Sequence, residues 1–280
     1  MRVHAIQTGS VAVKQRQRHG SGPGPGRVLS TLLDRNWTEP LPILAWLIEH
    51  PEGLIVIDTG ETARALEPGY FTPWNPYFRF GLRETVAAEQ EIGPQLRALG
   101  HSPEDVRWVV LTHLHTDHAG GLAHFPHSEI LVSEKELERA VGSLGKARGY
   151  LPQHWPEWFA PTRVEFDQVP YGPFEASRVL TEAGDVVLLP TPGHTAGHLS
   201  VAVRDAERLV FLAGDASYTE QLMLDGIADG VTDDPKTARR TLHRIRELAS
   251  HESTIYLPSH DPCSVSRLET SQLAAATITV

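Results

Sequence analysis

Five short apolar runs each lead into a histidine or an aspartate, and no other feature of the chain constrains its fold as strongly. The runs and the residues that they reach are Leu54–Ile57 with Asp58, Trp108–Thr112 with His113, Val186–Leu189 with His194, Leu209–Leu212 with Asp215, and Thr254–Leu257 with His260. Continuous apolar runs are typical of buried strands in α/β proteins, whose ligand sites lie at the carboxyl ends of the strands. We therefore expect an α/β fold that brings these side chains to one site.

The densest group of candidate ligands is the stretch His113-Leu-His115-Thr-Asp117-His118, which Ala-Gly-Gly follows. Because His113 and His115 alternate with other residues, both imidazoles can point at one cation, while Asp117 and His118 turn towards a second. A solvated histidine-rich loop or a generic surface chelator is the alternative interpretation. The ligands further along the chain disfavour it, because they complete a coordination set. Nitrogen and oxygen ligands without a thiolate are typical of two-metal hydrolases.

Several motifs resemble those of the metallo-β-lactamase superfamily, and the resemblance extends from about Ile43 to Asp261. They are Ile57-Asp58-Thr59-Gly60, Thr112-His113-Leu-His115-Thr-Asp117-His118-Ala-Gly-Gly, Thr191-Pro-Gly-His194-Thr-Ala-Gly-His198, Gly214-Asp215 and Ser259-His260-Asp261. Within the superfamily, the segment from Gly214 to Thr219 looks most like the N-acyl homoserine lactonases. In these, a tyrosine three residues after the bridging aspartate points into the substrate site. The resemblance implies a four-layer αβ/βα sandwich, and we expect residues 1–280 to form a single domain.

The resemblance also implies a ligand set: His113, His115 and His194 on a first metal, Asp117, His118 and His260 on a second, and Asp215 between them. The ligand set leaves no position for Asp58. We therefore interpret Asp58 as a carboxylate that orients a ligating histidine by a hydrogen bond to the ring nitrogen that does not bind the metal. For His198 we expect a structural or similar supporting role. Two divalent ions, best matched by zinc, would occupy the site, with iron, manganese and cobalt as alternatives.

Two residues are candidates for catalysis. Asp117 is predicted to relay a proton to the leaving group, and Tyr218 to polarise a carbonyl or bind the developing oxyanion. A packing role is the alternative for Tyr218. Aromatic segments supply candidate pocket residues, with lid or core packing as alternatives. These candidates are Trp74, Phe78, His154, Trp155, Trp158 and Phe159.

Local patterns predict further elements. Ile43–Ile48 and Leu54–Ile57 read as a hairpin, and Arg83–Leu99 has helical periodicity interrupted at Gly93-Pro94. Ser133-Glu-Lys-Glu136 matches a capping box, and Asp234-Pro235 a helix start. Residues 14–36 and 66–82 are interpreted as loop insertions, the first of them flexible over Lys14–Arg27, and 145–163 as a candidate lid.

Composition restricts the partners. The chain has 280 residues, is 40% hydrophobic and carries a formal net charge of −10. It has no basic run long enough to follow a phosphate backbone, which disfavours nucleic acid. It also lacks an apolar signal-peptide core or a run of transmembrane length, so a cytoplasmic protein is expected, and homodimer formation is left open.

Together these observations predict a dinuclear metal hydrolase that opens lactones with apolar tails, most like N-acyl homoserine lactones, and so acts in quorum quenching. A glyoxalase-II-like thioesterase, or another ester or phosphotriester hydrolase of this fold, is the main alternative. A class B β-lactamase is disfavoured, because it would be exported and the chain shows no signal-peptide core. An oxygen-reducing diiron protein is disfavoured, because such proteins carry glutamate where His115 stands. A metal-dependent sensor that binds without turnover is the non-enzyme alternative.

Overall fold

The computed structural model describes residues 1–20, 26–205 and 208–275. Its strands are β1 (Arg2–Val13), β2 (Leu41–His50), β3 (Gly53–Ile57), β4 (Leu82–Thr85), β5 (Val106–Leu111), β6 (Glu129–Ser133), β7 (Thr162–Val164), β8 (Arg178–Val179), β9 (Val186–Pro190), β10 (Leu199–Asp205), β11 (Arg208–Gly214) and β12 (Thr254–Pro258). Its α-helices are α1 (Gln15–Arg18), α2 (Arg27–Leu32), α3 (Pro76–Phe80), α4 (Ile92–Ala98), α5 (Thr116–Ala119), α6 (Glu134–Val141), α7 (Glu220–Leu224), α8 (Pro235–His251) and α9 (Ser264–Glu269).

The strands form two sheets. The first has seven strands in the order β4-β1-β2-β3-β5-β6-β7, and the second has five in the order β12-β11-β10-β9-β8. β3, β5 and β6 run parallel in the first sheet, and β11 and β12 run parallel in the second. The predicted hairpin is confirmed, because β2 pairs antiparallel with β3 and His50 lies opposite Gly53.

Side-chain alternation along the strands separates three apolar layers. In β2, Leu44, Trp46 and Ile48 face the core between the two sheets, where Val201 and other residues of the second sheet meet them. The intervening Ala45 and Leu47 face the opposite side, in a cluster that includes residues of α4. Successive strand residues point to opposite faces, so one apolar strand can serve both layers.

The helix α8 covers the outer face of the second sheet. Its Leu242, Ile245 and Leu248 pack in one cluster with Phe211 of β11 and Tyr256 of β12. Helices therefore lie outside both sheets, and the predicted four-layer αβ/βα sandwich is confirmed. The Asp234 carboxylate accepts hydrogen bonds from the backbone N–H groups of Lys236 and Thr237, which confirms the predicted start of α8.

Two local predictions are wrong. Residues 83–99 do not form one helix, because the strand β4 pairs with the end of β1 and only α4 is helical. Pro94 lies in the first turn of α4, where a missing N–H costs nothing, so it does not interrupt the helix. The predicted loop over Lys14–Arg27 contains the short helix α1; residues 21–25 lie outside the described part of the chain. No helix among the described residues is long and apolar enough to cross a membrane.

Candidate metal centre

The carboxyl ends of strands from both sheets meet at one edge of the sandwich. Asp58 directly follows β3, and His113 lies two residues after β5, which runs parallel to β3. Asp215 directly follows β11, and His260 lies two residues after the parallel strand β12. His194 follows β9 in the second sheet. The sandwich therefore delivers candidate ligands from distant segments to the same place.

Gly214 allows the backbone before Asp215 to lie close to His198 and Thr112 at this edge. Its φ is +55°, and a Cβ atom there would lie 2.8 Å from His198 Nε2 and 2.8 Å from Thr112 Oγ1. Contacts that short do not occur for real side chains, and the left-handed conformation favours glycine. The glycine before Asp215 is thus required for the two sheets to meet closely enough to share a site.

Three histidines form the first group of candidate ligands. His113 Nε2 lies 3.0 Å from His115 Nδ1, and His194 Nε2 lies 3.2 Å from the same atom. One Asp215 oxygen, Oδ2, lies 3.5 Å from His194 Nε2. These atoms converge from β5, from the loop after β9 and from the end of β11.

Asp117, His118 and His260 form the second group. His260 Nε2 lies 3.4 Å from Asp117 Oδ2. The other Asp215 oxygen, Oδ1, lies 3.3 Å from both His118 Nε2 and His260 Nε2. Asp215 thus presents one oxygen to each group, which is the arrangement that a bridging carboxylate needs.

The two groups fit divalent cations. Zinc binds nitrogen and oxygen ligands at about 2.0–2.1 Å, and a tetrahedron of that size has edges of about 3.3–3.4 Å. The separations of 3.0 to 3.5 Å between donor atoms match such edges. His118 Nε2 and Asp215 Oδ1 are buried 3.3 Å apart, and neither makes a well-aligned hydrogen bond to any described residue. Buried polar atoms are rarely left without a well-aligned hydrogen bond, so this pair fits the ligands of a cation.

Electrostatics divides the cluster into neutral and charged members. Burial and the neighbouring imidazoles lower the pKa of His113 well below its ordinary value and that of His115 to about 4. Burial opposes the charged form of His118, but the carboxylates of Asp215, Asp58 and Asp117 raise its pKa well above the ordinary value. For Asp117, burial is outweighed by His118 and His260, and its pKa falls to about 2. Neutral imidazoles and ionised carboxylates are the forms that bind metals, so His113, His115 and Asp117 are already in the binding form. A metal that binds His118 would displace a proton from it.

Each of three candidate ligands is oriented by a hydrogen bond at its other ring nitrogen. His118 Nδ1 lies 2.8 Å from Asp58 Oδ2, and His194 Nδ1 lies 3.0 Å from Asp229 Oδ2. His260 Nδ1 lies 2.8 Å from the carbonyl oxygen of Pro42. Such partners fix the tautomer that directs Nε2 at a metal, and they raise the basicity of the ligand.

Asp58 is held in an unusual conformation. It is completely buried, its φ is +58°, and it accepts hydrogen bonds from the backbone N–H of Thr112 at 2.7 Å and from the Thr112 hydroxyl at 2.9 Å. A non-glycine residue in the left-handed region is strained, and such strain is often found at functional sites. The carboxylate thereby ties the end of β3 to the strand that carries His113.

His198 does not face the metal groups with a free nitrogen. Its Nε2 lies 3.0 Å from the backbone N–H of Asp215, and its Nδ1 lies 2.9 Å from Thr191 Oγ1. Burial and the neighbouring His194 lower the pKa of His198 to about 3, so that the ring is neutral and can accept from Asp215. His198 therefore positions the backbone of the bridging aspartate.

Sequence reasoning missed two buried carboxylates. Asp229 stands in an isolated Asp-Gly sequence, which carries no signal for a partner 35 positions away. Glu136 was interpreted as part of a capping box, but the Ser133 side chain makes no cap hydrogen bond. Glu136 instead accepts hydrogen bonds from the N–H of Leu114 and from the Thr195 hydroxyl. The capping-box prediction is wrong because the Glu136 carboxylate is used to join the two loops that carry His115 and His194.

An open cavity of about 200 Å³ adjoins the two groups. His115, Asp117, His194, Asp215 and Tyr218 lie in its wall. Another part of the wall is apolar and is formed by Val11, Val13, Val28, Phe78 and Leu82. Tyr218 is buried, and its ring stacks on His260 with 5.6 Å between centroids.

The structure places most of the predicted pocket residues elsewhere. Of the six, Phe78 alone lines this cavity. Trp74 and Trp158 are 60% and 39% exposed. His154 stacks on Tyr70 with 4.0 Å between ring centroids, beside a smaller cavity that Trp155 also lines. Trp155 and Phe159 pack against the apolar cluster that contains Ala45 and Leu47 of β2. Aromatic residues in a Pro-broken segment thus serve mainly as packing under loops. From the candidate lid, only residues 147–150 reach the cavity.

Comparison with known proteins places these features in a family. A model of the metallo-beta-lactamase superfamily matches residues 38–260. Probable metallo-hydrolases of Mycobacterium tuberculosis and Mycobacterium bovis are 36% identical over 178 residues, which cover 61% of this chain. The match spans 56% of the length of those relatives. An N-acyl homoserine lactonase of Bacillus thuringiensis is 29% identical over 243 residues, covering 86% of each chain.

The fold also matches solved structures. A structure of an N-acyl homoserine lactone hydrolase with the product N-hexanoyl-L-homoserine at its catalytic metal centre has a TM-score of 0.72 and 22% identity. The alignment covers 98% of this chain and 97% of that chain. At this identity the likeness concerns the fold, so the chemistry must be argued from the residues of the site.

Proposed function

We propose that this chain, which belongs to the metallo-beta-lactamase superfamily, is a metal-dependent hydrolase that opens the ester ring of lactones. N-acyl homoserine lactones are the substrates that we propose, and quorum quenching is the process. The observation that carries the proposal is the pair of ligand groups sharing Asp215 beside a cavity that combines Tyr218 with an apolar wall. The likeness to the Bacillus lactonase over most of both chains supports the choice of substrate.

Seven residues would hold two divalent cations, and we propose zinc. The first group is His113, His115 and His194, the second is Asp117, His118 and His260, and Asp215 would join them. When bound, two such cations polarise a carbonyl group and lower the pKa of water, so that a strong nucleophile exists at neutral pH. Imidazole and carboxylate ligands without sulfur suit zinc but also iron, manganese and cobalt.

The chain itself would supply two further groups. Burial, with Tyr77 and Asp215 nearby, raises the pKa of Tyr218 well above its ordinary value, so its hydroxyl stays protonated and can donate to a carbonyl oxygen. Such a donor stabilises the charge that develops on that oxygen as the ester is attacked. The Asp117 carboxylate is ionised and partly exposed to the cavity, and we propose that it passes a proton to the alcohol that leaves.

The cavity favours a neutral ester over a charged one. Among the described residues that line it, Arg148 is the one arginine or lysine, and its Nε lies 4.0 Å from Asp233 Oδ1. A thioesterase for glutathione or coenzyme A adducts would need a cluster of basic residues for the carboxylates or phosphates. Valine, leucine and phenylalanine side chains in the wall suit an acyl tail instead.

One experiment compares substrate classes. Protein of measured metal content would be assayed with N-acyl homoserine lactones, thioesters, phosphotriesters and β-lactams, with proton release as the readout for lactones. We expect lactones to give the largest kcat/KM. A larger kcat/KM for thioesters would replace the lactonase proposal with the thioesterase, and binding of lactone without proton release would favour a sensor.

Substitution of Tyr218 by phenylalanine tests the role of the hydroxyl. The ring and its stacking on His260 remain, so metal content should not change. Removing one oxyanion donor typically lowers turnover a hundredfold to a thousandfold, and since a metal covers part of the charge we expect a fall of about tenfold to a hundredfold in kcat. The loss should be smaller for activated aryl esters. An unchanged kcat for the best lactone would assign Tyr218 to packing.

A further inference from the structure

The side-chain amide of Gln17 lies between two tyrosines that line the cavity. Its Nε2 is 2.8 Å from the hydroxyl of Tyr218 and 2.8 Å from the hydroxyl of Tyr77. Gln17 comes from the short helix α1 and is only 2% exposed. The three residues are far apart in sequence, and no motif indicated their contact.

The two amide hydrogens of Gln17 determine how the hydroxyl groups of Tyr77 and Tyr218 are used. An amide nitrogen carries two hydrogens, so Gln17 can donate one to each phenol oxygen. A phenol that accepts a hydrogen bond still has its own O–H to donate. Among the described residues, neither hydroxyl has a second hydrogen-bonding partner. Both tyrosines line the cavity, where a substrate oxygen can accept a hydrogen bond from their hydroxyls.

The buried oxygen of Gln17 shows that the arrangement has a cost. Gln17 Oε1 is buried and has no hydrogen-bonding partner among the described residues. An unpaired buried amide oxygen costs free energy, so a structural glutamine would be expected to use both ends. Using only the donor end at two phenols indicates that donation to them is the function of this side chain.

The backbone of Gln17 is fixed to the loop that carries Asp229. The carbonyl oxygen of Gln17 accepts a hydrogen bond from the N–H of Gly230 at 2.7 Å. A Cβ atom on Gly230 would lie 2.3 Å from the Arg16 carbonyl oxygen and 3.0 Å from Gln17 Cα, so only glycine allows this approach. On the other side, the Asn75 side chain accepts from the N–H of Tyr77 at the start of α3.

We infer that Gln17 is a positioning residue that directs the O–H groups of Tyr218 and Tyr77 into the cavity as a pair of donors. The inference rests on the proposed function. Tyr218 would donate to the carbonyl oxygen of the ring, and Tyr77 to a second oxygen of the same substrate. The site would then prefer lactones that carry a second carbonyl group, such as an acylamino substituent, over lactones with a plain alkyl tail.

The opposite orientation of the amide gives a different chemistry. Gln17 Oε1 would then accept from both phenols, and neither hydroxyl would have a proton for the substrate. Gln17→Glu creates that state deliberately, because a carboxylate can only accept. The variant therefore separates donation by Gln17 from simple filling of space.

Kinetics provides the first measurement. Gln17→Glu should lower kcat about tenfold to a hundredfold for every lactone, as expected for loss of an oxyanion donor. Adding Tyr218→Phe to it should cause little further loss, since both changes remove the same donor. Tyr77→Phe should lower kcat/KM about three- to tenfold for the acylamino lactone and leave an alkyl lactone of equal length unchanged.

Gln15→Glu is the matched control. Gln15 belongs to the same helix and donates to the Trp37 carbonyl oxygen at 3.2 Å, outside the cavity. The Gln15→Glu substitution introduces the same charge two positions before Gln17 and should leave kcat unchanged. Metal content and thermal unfolding of every variant show whether a loss reflects folding. Additive losses in the double variant, or equal losses in Gln15→Glu, would overturn the inference.

A spectroscopic measurement does not depend on turnover. The tyrosine doublet in the Raman spectrum distinguishes a phenol that accepts a hydrogen bond from one that only donates. Difference spectra of the protein against Tyr218→Phe and Tyr77→Phe should show acceptors, and in Gln17→Glu the same bands should change to donors. Donor-only bands in the unsubstituted protein would overturn the inference. If no lactone is hydrolysed but the bands show acceptors, the proposed function fails while the role of Gln17 stands.

Discussion

Replacing Asp58 by asparagine tests whether outer hydrogen bonds hold the metal site. Asparagine tolerates the left-handed conformation that Asp58 adopts at a φ of +58°, so the backbone should be retained. The Asp58 carboxylate now accepts from the Thr112 N–H, the Thr112 hydroxyl and His118 Nδ1. In the variant, the single amide oxygen can still accept from the Thr112 N–H, which leaves the NH₂ group facing His118.

The magnitude follows from the tautomer of His118. An NH₂ group opposite Nδ1 makes that nitrogen an acceptor, which moves the ring proton to Nε2, the atom that lies 3.3 Å from Asp215 Oδ1. A protonated Nε2 cannot bind a metal. Loss of such an outer partner typically costs tenfold to a hundredfold in metal affinity, and the forced tautomer leads us to expect about a hundredfold, or about 2.8 kcal/mol.

The assay is metal content after equilibration with a chelator of known affinity. We expect the second ion to be lost at lower chelator concentration, while the first ion and the thermal unfolding profile change little. Asp185→Asn is the matched control, because Asp185 Oδ1 lies 3.0 Å from His50 Nε2 in a histidine–carboxylate pair that is not part of the ligand set. Equal metal affinity in Asp58→Asn and the unsubstituted protein would refute the reasoning.

Three further predictions concern the ligand groups. Asp215→Ala should lose metal and activity together, since its two oxygens face the two groups; elemental analysis that still finds two ions per chain would contradict the bridging role. Asp117→Asn should keep much of its metal and lose turnover, because an amide can coordinate weakly but cannot carry a proton; near-normal kcat with intact metal would make Asp117 a ligand only. In the metal-free protein, burial is outweighed by Asp229, which raises the pKa of His194 to about 9, and by Asp215 and Asp117, which raise that of His260 to about 10. Both imidazoles are then protonated at neutral pH, so added zinc should release protons in a weakly buffered solution, and apparent zinc affinity should rise as the pH rises towards these pKa values. Uptake of zinc without proton release would contradict this.

The sequence by itself determined the sheet-building runs and the set of candidate ligands. Buried strands need unbroken apolar residues, and the polar residues that end them stand out against that background. The structure brings the seven candidates together, with Asp215 between the two groups. Asp58 could be interpreted as an outer carboxylate because the ligand set had no position for it, and the structure places its Oδ2 atom 2.8 Å from His118 Nδ1.

The tertiary structure alone decided what surrounds these ligands. Asp229, Glu136 and Gln17 contact partners in distant segments, and their local sequences look like a turn, a helix cap and a polar loop. The wall of the cavity likewise depends on which insertions fold against the strand ends, so the aromatic residues of 145–163 could not be distinguished from packing residues. Periodicity and motifs record local constraints on the chain. Contacts across long sequence separations leave no such record in a single sequence, because any polar residue on a turn can satisfy the local backbone equally well.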